Sequence, residues 1–296
     1  MKPSRPYLGV ISMFYARPFQ ARHFGHFREA RAAGLSFMEL LVPEPGELDA
    51  AATREVLAEA GLGIVLAARV NLSRDISSAN PEARAAGEKY LRYCVDAARE
   101  LGAKIVGGPL YGAPLVFAGR APAPVDEDER ERRVERTVAS LRGASTYATE
   151  HGVRLALEPL NRFETDMVNT TRHGIAIVEA VGSRALGLLL DTFHMNMEDP
   201  DLGDAIRAAG RRLYHFQANE NHRGFVGTGH IDWLRVVQAL TEIGYDGPIT
   251  LEPFRRADER PGVPLAQWRP PTTDENPALA ASVKYLKARF AKAVAS

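Results

Sequence analysis

The strongest constraint on the fold is the regular alternation of short apolar runs with longer helical patterns. Eight apolar, β-prone runs recur along the chain, at residues 7–14, 36–42, 62–70, 104–111, 154–161, 186–193, 213–219 and 247–254. Their near-continuous apolar character is typical of parallel strands that are covered on the outside. The stretches between them, such as residues 82–102, have the composition and periodicity of helices. The alternation therefore predicts eight strand–helix units.

Glycines at the ends of the helical patterns support this reading. Five helical stretches close with a glycine before the next strand, at Gly34, Gly61, Gly102, Gly152 and Gly244. Glycine can end a helix in the left-handed conformation and let the chain turn. Eight such units in 296 residues predict a closed (β/α)8 TIM barrel of the α/β class. An open doubly wound sheet is the alternative, but residues 13–20, MFYARPFQ, lack its glycine-rich dinucleotide loop.

The domain organisation follows from the absence of any linker-like composition. We expect one barrel domain over residues 1–296. The weakest unit is the segment 255–277, which is proline-rich, not periodic, and contains Trp268. Two interpretations of it stay open: an ordered excursion over the barrel mouth, or a subunit contact.

Composition excludes several classes of function. Lys and Arg total 37, as do Asp and Glu, so the net charge is zero and neither nucleic acid nor a membrane surface is an expected partner. The only cysteine, Cys94, excludes an internal disulfide framework and suits a small buried group on a helix. No apolar run approaches the ~18 residues of a membrane span, and the first residues lack a signal-peptide pattern. We therefore expect a cytoplasmic protein.

Polar residues follow the last four predicted strands, at the end where such barrels carry their chemistry. Three carboxylates each end an apolar run: Glu158 on the fifth strand, Asp191 on the sixth and Glu252 on the eighth. The other polar candidates at these strand ends are Asn161, Arg162, Glu164, His194, His215, Gln217 and Arg223.

Three carboxylates on one small rim would raise each other's pKa. A single acid at a rim usually forms a salt bridge or caps a helix, but three acids that each end an apolar run indicate a divalent-cation site. Oxygen ligands with an imidazole suit Mn²⁺, Mg²⁺ or Co²⁺, and His194 can face the same pocket as Asp191, three residues earlier. The pattern thus predicts Glu158 as a metal ligand.

The strand ends also carry longer motifs. These are EPLNRFET (158–165), LLLDTFHMNMED (188–199), HFQANENHRG (215–224) and GPITLEPF (247–254), with GGPLYG (107–112) after the fourth strand. In combination they resemble the D-tagatose 3-epimerase family of ketose 3-epimerases, also called D-psicose (D-allulose) 3-epimerases, within the xylose-isomerase-like barrels. The resemblance covers essentially the whole chain and implies a Mn²⁺ or Co²⁺ site with four ligands. Glu158, Asp191 and Glu252 match three of the four.

The fourth ligand departs from the family pattern. That ligand is usually a histidine three residues before a glutamate and six before an arginine, and counting back from Glu220 and Arg223 gives Gln217. A glutamine oxygen can bind a hard cation, as hydroxypyruvate isomerase-like barrels are thought to do, and it favours Mn²⁺ or Mg²⁺ over softer metals. His215, two residues earlier on the same strand face, stays as the alternative ligand.

The resemblance also implies a reaction. Glu158 and Glu252 would remove the proton on carbon 3 of a free ketose from one face and return a proton to the other, through an ene-diolate whose charge the metal stabilises. Glu164, His194 and Arg223 would hold the oxygens near carbons 1 and 2. The substrate pairs would be of the D-tagatose/D-sorbose, D-fructose/D-psicose or L-ribulose/L-xylulose type.

Two further expectations concern the rest of the molecule. The substrate tail should meet loops after the first four strands, around Phe14, Asn71 and Tyr111. By resemblance, the protein should form a homodimer or a homotetramer.

Three rival functions use the same scaffold. An aldose–ketose or hydroxypyruvate-type isomerase would move a proton between carbons 1 and 2, and Gln217 favours it. A barrel nuclease needs a histidine-rich multi-zinc cluster and a basic face, which zero net charge and only two strand-end histidines, His194 and His215, disfavour. A sugar-sensing or metal-storing barrel has no use for two opposed acids.

Overall fold

The strands of the computed structural model form one closed barrel. The structure describes residues 6–114, 125–254 and 275–295. The strands are Tyr7–Ile11 (β1), Phe37–Leu41 (β2), Gly63–Ala67 (β3), Ile105–Gly108 (β4), Arg154–Leu157 (β5), Leu186–Asp191 (β6), Leu213–Ala218 (β7) and Pro248–Leu251 (β8). Each strand pairs in parallel with the next, and β8 closes on β1. The predicted (β/α)8 barrel is confirmed.

Helices follow the strands around the outside of the barrel. They are Gly25–Ala32 (α1), Ala50–Ala60 (α2), Pro81–Leu101 (α3), Glu127–Glu150 (α4), Thr171–Val181 (α5), Thr192–Glu198 (α6), Leu202–Ala209 (α7), Trp233–Glu242 (α8) and Glu275–Ala295 (α9). Short 3-10 turns occupy Ser12–Phe14, Ala21–His23, Leu72–Arg74 and Gly210–Arg212. Within the described ranges, no helix combines the length and hydrophobicity needed to cross a membrane.

The helix ends behave as the sequence predicts. The backbone φ angles of the five helix-closing glycines lie between 65° and 88°, in the left-handed region. At Gly61 and Gly102 the amide N–H donates back to carbonyls of the last helical turn, which completes the cap. Both glycines therefore end a helix where a side chain would strain the backbone.

The strands are shorter than their apolar patterns suggest. The fifth run spans residues 154–161, but β5 ends at Leu157, and the eighth run spans 247–254, but β8 ends at Leu251. The ladder stops where the backbone turns onto the rim, so Glu158 and Glu252 are each the first residue beyond a strand. The apolar pattern could not predict where each strand ends, because the residues beyond the turn are also buried.

Two layers of core hold the barrel. Phe37, Val65, Ile105, Ala156 and Leu189 form one apolar cluster within the barrel, and a larger cluster fills the space between strands and helices. Cys94 is fully buried on α3, as predicted. The apolar barrel interior gives way to polar side chains at the carboxyl ends of the strands.

The segment 255–277 falls mostly outside the described residues. Residues 255–274 are not described, and 275–277 begin α9. Both interpretations of this segment, and the expectation of one domain over 1–296, stay predictions.

Candidate active site

The three predicted carboxylates meet at the carboxyl end of the barrel. The exposed fractions of Glu158, Asp191 and Glu252 are 7%, 1% and 4%. The backbone N–H of Glu158 donates to the carbonyl of Gly108 on β4, at 2.9 Å. Asp191 ends β6 and caps α6, where its carboxylate accepts the N–H of Phe193 at 2.8 Å. Strand pairing and one helix cap thus fix these acids, which we call the carboxylate cluster.

A cavity of about 310 Å³ opens over the carboxylate cluster. Glu158, Glu252 and Gln217 line it, together with the predicted substrate residues Glu164, His194 and Arg223. Its size falls at the lower end of the range for small-molecule sites, ~300–1,000 Å³. A molecule the size of a sugar could therefore contact most of the predicted site residues at once.

The rest of the cavity lining comes from loops after the first four strands, as predicted, but not from all the residues expected there. Asn71 lines it as expected, but Phe14 and Tyr111 are buried in the hydrophobic core. Charged residues after β1, β2 and β3 complete this end of the lining: Arg17, Glu44, Arg69 and Arg74. Large aromatic side chains after a strand pack inward when apolar space is available, and the sequence did not reveal that space.

Burial makes the carboxylate cluster hard to ionise. Burial and the neighbouring charge of Glu252 raise the pKa of Glu158 well above its usual value. Burial likewise raises the pKa of Glu252 to about 8 and raises the pKa of Asp191. Acids in such surroundings bind protons or a cation near neutral pH.

Two oxygen atoms test whether a cation fits here. Asp191 Oδ1 accepts from Asn219 Nδ2 at 2.9 Å, while its Oδ2 is buried without a hydrogen-bond donor in the described part of the chain. Gln217 Oε1 is buried and equally unpaired among the described residues. Buried acceptors without donors are uncommon and often mark an ion or water site. With the oxygens of Glu158 and Glu252, they form a donor set that suits a hard divalent cation.

His194 lies close enough to be considered a ligand as well. Its Nε2 is 3.6 Å from both Glu158 Oε1 and Asp191 Oδ2, and the three side chains form a candidate metal triad. However, its Nδ1 accepts the backbone N–H of Asn161 at 3.1 Å, and burial lowers the pKa of His194 well below its usual value. Its Nε2 is 3.2 Å from Nη1 of Arg223, a group that can only donate, so both ring nitrogens of His194 face N–H groups. His194 and Arg223 therefore line the cavity side by side.

Arg223 provides the positive charge of the site. Its Nη2 donates to Glu252 Oε2 at 2.8 Å, and the guanidinium lies between the rings of Phe193 and Phe254, 4.5 and 4.1 Å from their centroids. Although burial lowers it, the surrounding carboxylates, Glu252 first, raise the pKa of Arg223. Arg223 has a φ of 59°, in the left-handed region. A residue with a side chain keeps that conformation only when its surroundings fix it, which is common at functional sites.

The loop that carries Arg223 is fixed by Glu220. The Glu220 carboxylate accepts the indole N–H of Trp233 and the backbone N–H of Gly227, both at 2.7 Å. The carbonyl of Arg223 in turn accepts the N–H of Phe254 at 2.8 Å. Glu220, from which Gln217 was located in the sequence, therefore stabilises the loop that carries Arg223.

The two strand-7 candidates occupy different levels of the barrel. Gln217 lines the cavity, whereas His215 is fully buried one step deeper, with Nε2 at 2.9 Å from Thr250 Oγ1. Burial lowers the pKa of His215 to about 3, so its imidazole is neutral. This placement favours Gln217 as the candidate ligand.

Three residues near the site were missed by the sequence reasoning. Asn161 was noted only as a polar rim residue, although its side chain donates to Glu164 Oε1 at 2.9 Å and its backbone orients His194. Asn219 donates to both Asp191 and Glu252. Glu39 on β2 is fully buried and accepts from Gln217 Nε2 at 3.2 Å. A signal for Glu39 was available: a charged residue in the middle of the run SFMELLV.

Comparison with known proteins agrees with this geometry. The profile of the xylose isomerase-like TIM barrel family matches residues 27–289. The chain belongs to that family. The fold of this family accounts for the closed eight-stranded barrel.

Relatives within the family carry a common activity in their names. The L-ribulose 3-epimerase of Mesorhizobium japonicum is 36% identical over 241 residues, which is 81% of this chain and 78% of that protein. A solved L-ribulose 3-epimerase superposes with a TM-score of 0.90 at 31% identity, covering 98% of this chain and 96% of that one. D-allulose 3-epimerase from Methylomonas sp., solved with D-allulose, gives 0.87 at 30% identity, covering 97% of this chain and 98% of the other.

Proposed function

We propose that this family member is a metal-dependent ketose 3-epimerase that acts on free ketoses. The observation that carries the proposal is the placement of Glu158 and Glu252. They follow two strands that are not neighbours, β5 and β8, and both line the same cavity. Inverting a carbon centre by proton transfer requires an acid and a base on opposite sides of the substrate, and two such carboxylates can supply them.

The electrostatics of this pair suit the two roles. Burial and mutual repulsion raise the pKa of Glu158 well above its usual value, and burial raises the pKa of Glu252 to about 8. Two acids that repel each other share protons as a pair, so one can be protonated while the other is charged. One glutamate takes the proton from carbon 3, and the other donates a proton to the opposite face of the same carbon. The reverse reaction exchanges the roles.

We propose Glu158, Asp191, Gln217 and Glu252 as the ligands of a divalent cation. Two oxygens support the assignment: Asp191 Oδ2, which accepts no hydrogen bond although Arg223 Nη2 lies 3.4 Å away, and Gln217 Oε1, which is buried without a donor among the described residues. A cation bound there would supply Lewis-acid stabilisation of the negative charge that develops on the substrate oxygens. Oxygen ligands alone favour Mn²⁺ as the working ion, with Co²⁺ or Mg²⁺ as substitutes.

The other predicted site residues position the substrate. Arg223 can donate from its guanidinium, and His194 lies beside it with Nε2 at 3.2 Å from Nη1, so the two side chains can together hold the carbonyl and hydroxyl oxygens next to the reacting carbon. Glu164 lines the same cavity and can accept from a hydroxyl. Oriented donors of this kind also stabilise charge on an ene-diolate oxygen. The named relatives support L-ribulose and D-allulose as the first substrates to test, and family resemblance supports a homodimer or homotetramer.

Solvent isotope exchange tests the proposal directly. Metal-stripped protein would be reloaded with Mn²⁺ and incubated in D₂O with L-ribulose, D-fructose or D-tagatose, and the products followed by NMR. We expect deuterium at carbon 3 of a new ketose, since the abstracted proton exchanges with solvent. Deuterium at carbon 1 or 2 together with an aldose product would instead identify an aldose–ketose isomerase, the alternative that Gln217 favours.

A further inference from the structure

Glu39 is a buried acid that the proposed reaction does not use. It lies on β2, three strands around the barrel from β7, and its exposed fraction is 0%. Its side chain crosses the barrel interior to Gln217, where Nε2 is 3.2 Å from Oε1 and 3.4 Å from Oε2. A charged group in a barrel interior is costly unless it has a specific partner. The contact with Gln217 therefore provides the specific partner that the buried acid needs.

A glutamine amide can point either of its two ends toward the cavity. Its oxygen accepts hydrogen bonds and its nitrogen donates them, so the surrounding partners decide the orientation. In the structure both Glu39 oxygens face Nε2, and as a carboxylate Glu39 would repel Oε1. The reverse orientation would put two buried acceptors at contact distance and leave the amide N–H groups facing the carboxylate cluster. Only with Nε2 on Glu39 can Oε1 serve a cation.

Glu39 itself is fixed in place from the layer below. His215 Nε2 is 3.3 Å from Glu39 Oε2 and 2.9 Å from Thr250 Oγ1. Both side chains are fully buried. The carboxylate therefore has contacts on two sides and little freedom to move away from Gln217.

We propose that Glu39 is a positioning residue that turns the amide oxygen of Gln217 toward the metal. This inference rests on the proposed metal site. The family resemblance implies a histidine as the usual strand-7 ligand, and a histidine can bind a metal with one ring nitrogen. Glutamine needs its orientation set by a neighbour, and Glu39 does so here. Partners that orient metal ligands typically contribute about 10- to 100-fold to metal affinity.

Direct binding of Mn²⁺ tests the proposal without any sugar. The dissociation constant would be measured by the electron paramagnetic resonance signal of free Mn²⁺ for wild type, E39D, E39Q and Q217A, and for each Glu39 variant combined with Q217A. E39D keeps the charge but withdraws the carboxylate by one methylene. E39Q keeps the length but removes the charge and allows both amide orientations. Thermal unfolding confirms that each variant is folded.

We expect E39D and E39Q each to weaken Mn²⁺ binding about 10- to 100-fold in the wild-type background and by less than about threefold in Q217A. The control is E47D, the same shortening of a glutamate outside the cavity lining, which should leave affinity unchanged. If Glu39 acted only through its charge, E39D would bind Mn²⁺ like wild type and E39Q would lose the same factor in both backgrounds. Either result overturns the proposal.

The outcome separates this inference from the proposed function. Coupling between Glu39 and Gln217 without deuterium exchange at carbon 3 would uphold the positioning role and reject the epimerase. If deuterium exchanges at carbon 3 and the effects of the Glu39 and Gln217 substitutions on Mn²⁺ affinity are additive, the epimerase would be upheld and the positioning role rejected. A wild-type protein that binds no Mn²⁺ would overturn both the positioning role and the proposed metal site.

Discussion

Acids lie near both ends of the cavity, but those at one end are paired with arginines and those at the other are buried with little counter-charge. At the β2–β3 end, Glu44 and Glu47 pair with Arg74 and Arg69, and we call these four residues the ion-pair rim. A hydrogen bond from Arg74 at 2.7 Å lowers the pKa of Glu44. In the carboxylate cluster, burial raises every pKa, and in the described chain Arg223 is the only arginine or lysine that forms ion pairs with it.

The direction of the pKa shift distinguishes the two uses of an acid. The ion-pair rim carries its own counter-charges, since each of its carboxylates forms an ion pair with an arginine. The carboxylate cluster has more negative charge than its own cation can balance, so it requires protons or a metal. The cluster is therefore the proposed binding site for a cation, whereas the rim balances its own charges.

The largest effect is expected from removing a catalytic charge. The substitution Glu252→Gln keeps the shape of the side chain but prevents it from accepting a proton. We expect the rate of deuterium exchange at carbon 3 to fall by about 10²- to 10⁴-fold or more. Glu47→Gln, the matching change in the rim, should leave that rate within about twofold. Near-normal exchange in the Glu252 variant would remove the distinction between the two ends.

A smaller effect is expected from replacing Arg223, the arginine that forms ion pairs with the carboxylate cluster. Arg223→Lys keeps the charge but loses the planar group that lies between Phe193 and Phe254 and donates to Glu252. We expect kcat/KM to fall about 10- to 100-fold, since hydrogen bonds to charged groups contribute ~1.5–3 kcal/mol. Steady-state kinetics on L-ribulose would measure this. A lysine variant as active as wild type would show that charge alone suffices.

The pH dependence of stability should reveal the cluster in chelated protein. Glu252 has a pKa of about 8 in the folded state against an ordinary value of 4.5, so the folded state binds more protons between these pH values. Stability should therefore fall as pH rises from about 4.5 to about 8. Mn²⁺ should oppose this loss, because the cation replaces the protons and binds more tightly at higher pH.

Melting temperatures of chelated and Mn²⁺-loaded protein across this range would check the sign. The difference between the two forms should grow with pH. A constant difference would mean that the cluster does not bind the metal.

The smallest effect is expected in the ion-pair rim. Glu47→Gln removes a partner of Arg69 from a partly exposed site, where such pairs contribute about 0–1 kcal/mol. Urea unfolding should show a free energy of unfolding within that range of wild type. A loss of several kcal/mol would show that the rim is as tightly constrained as the cluster.

The sequence predicted the strands and turns that carry this site better than the side-chain contacts within it. Alternating apolar runs located all eight strands, and helix-closing glycines located their turns, because both signals are local. Glu158, Asp191 and Glu252 could be found because carboxylates rarely follow buried strands. Phe14 and Tyr111 were misplaced, since packing into the core depends on residues distant in the chain. Glu39 was missed for the same reason: its partner is 178 positions away.

The N–H groups around His194 have a consequence for kinetics. Asn161 contacts Nδ1 and Arg223 contacts Nε2, and the pKa of His194 lies well below 6.5, first because of burial and then because of Arg223. Protonation of a histidine often explains a loss of activity in mild acid, but His194 does not become protonated in that pH range. A decline in turnover between about pH 7 and pH 5 would report protonation of carboxylates, and replacing His194 by a neutral donor would leave the midpoint of that decline where it was.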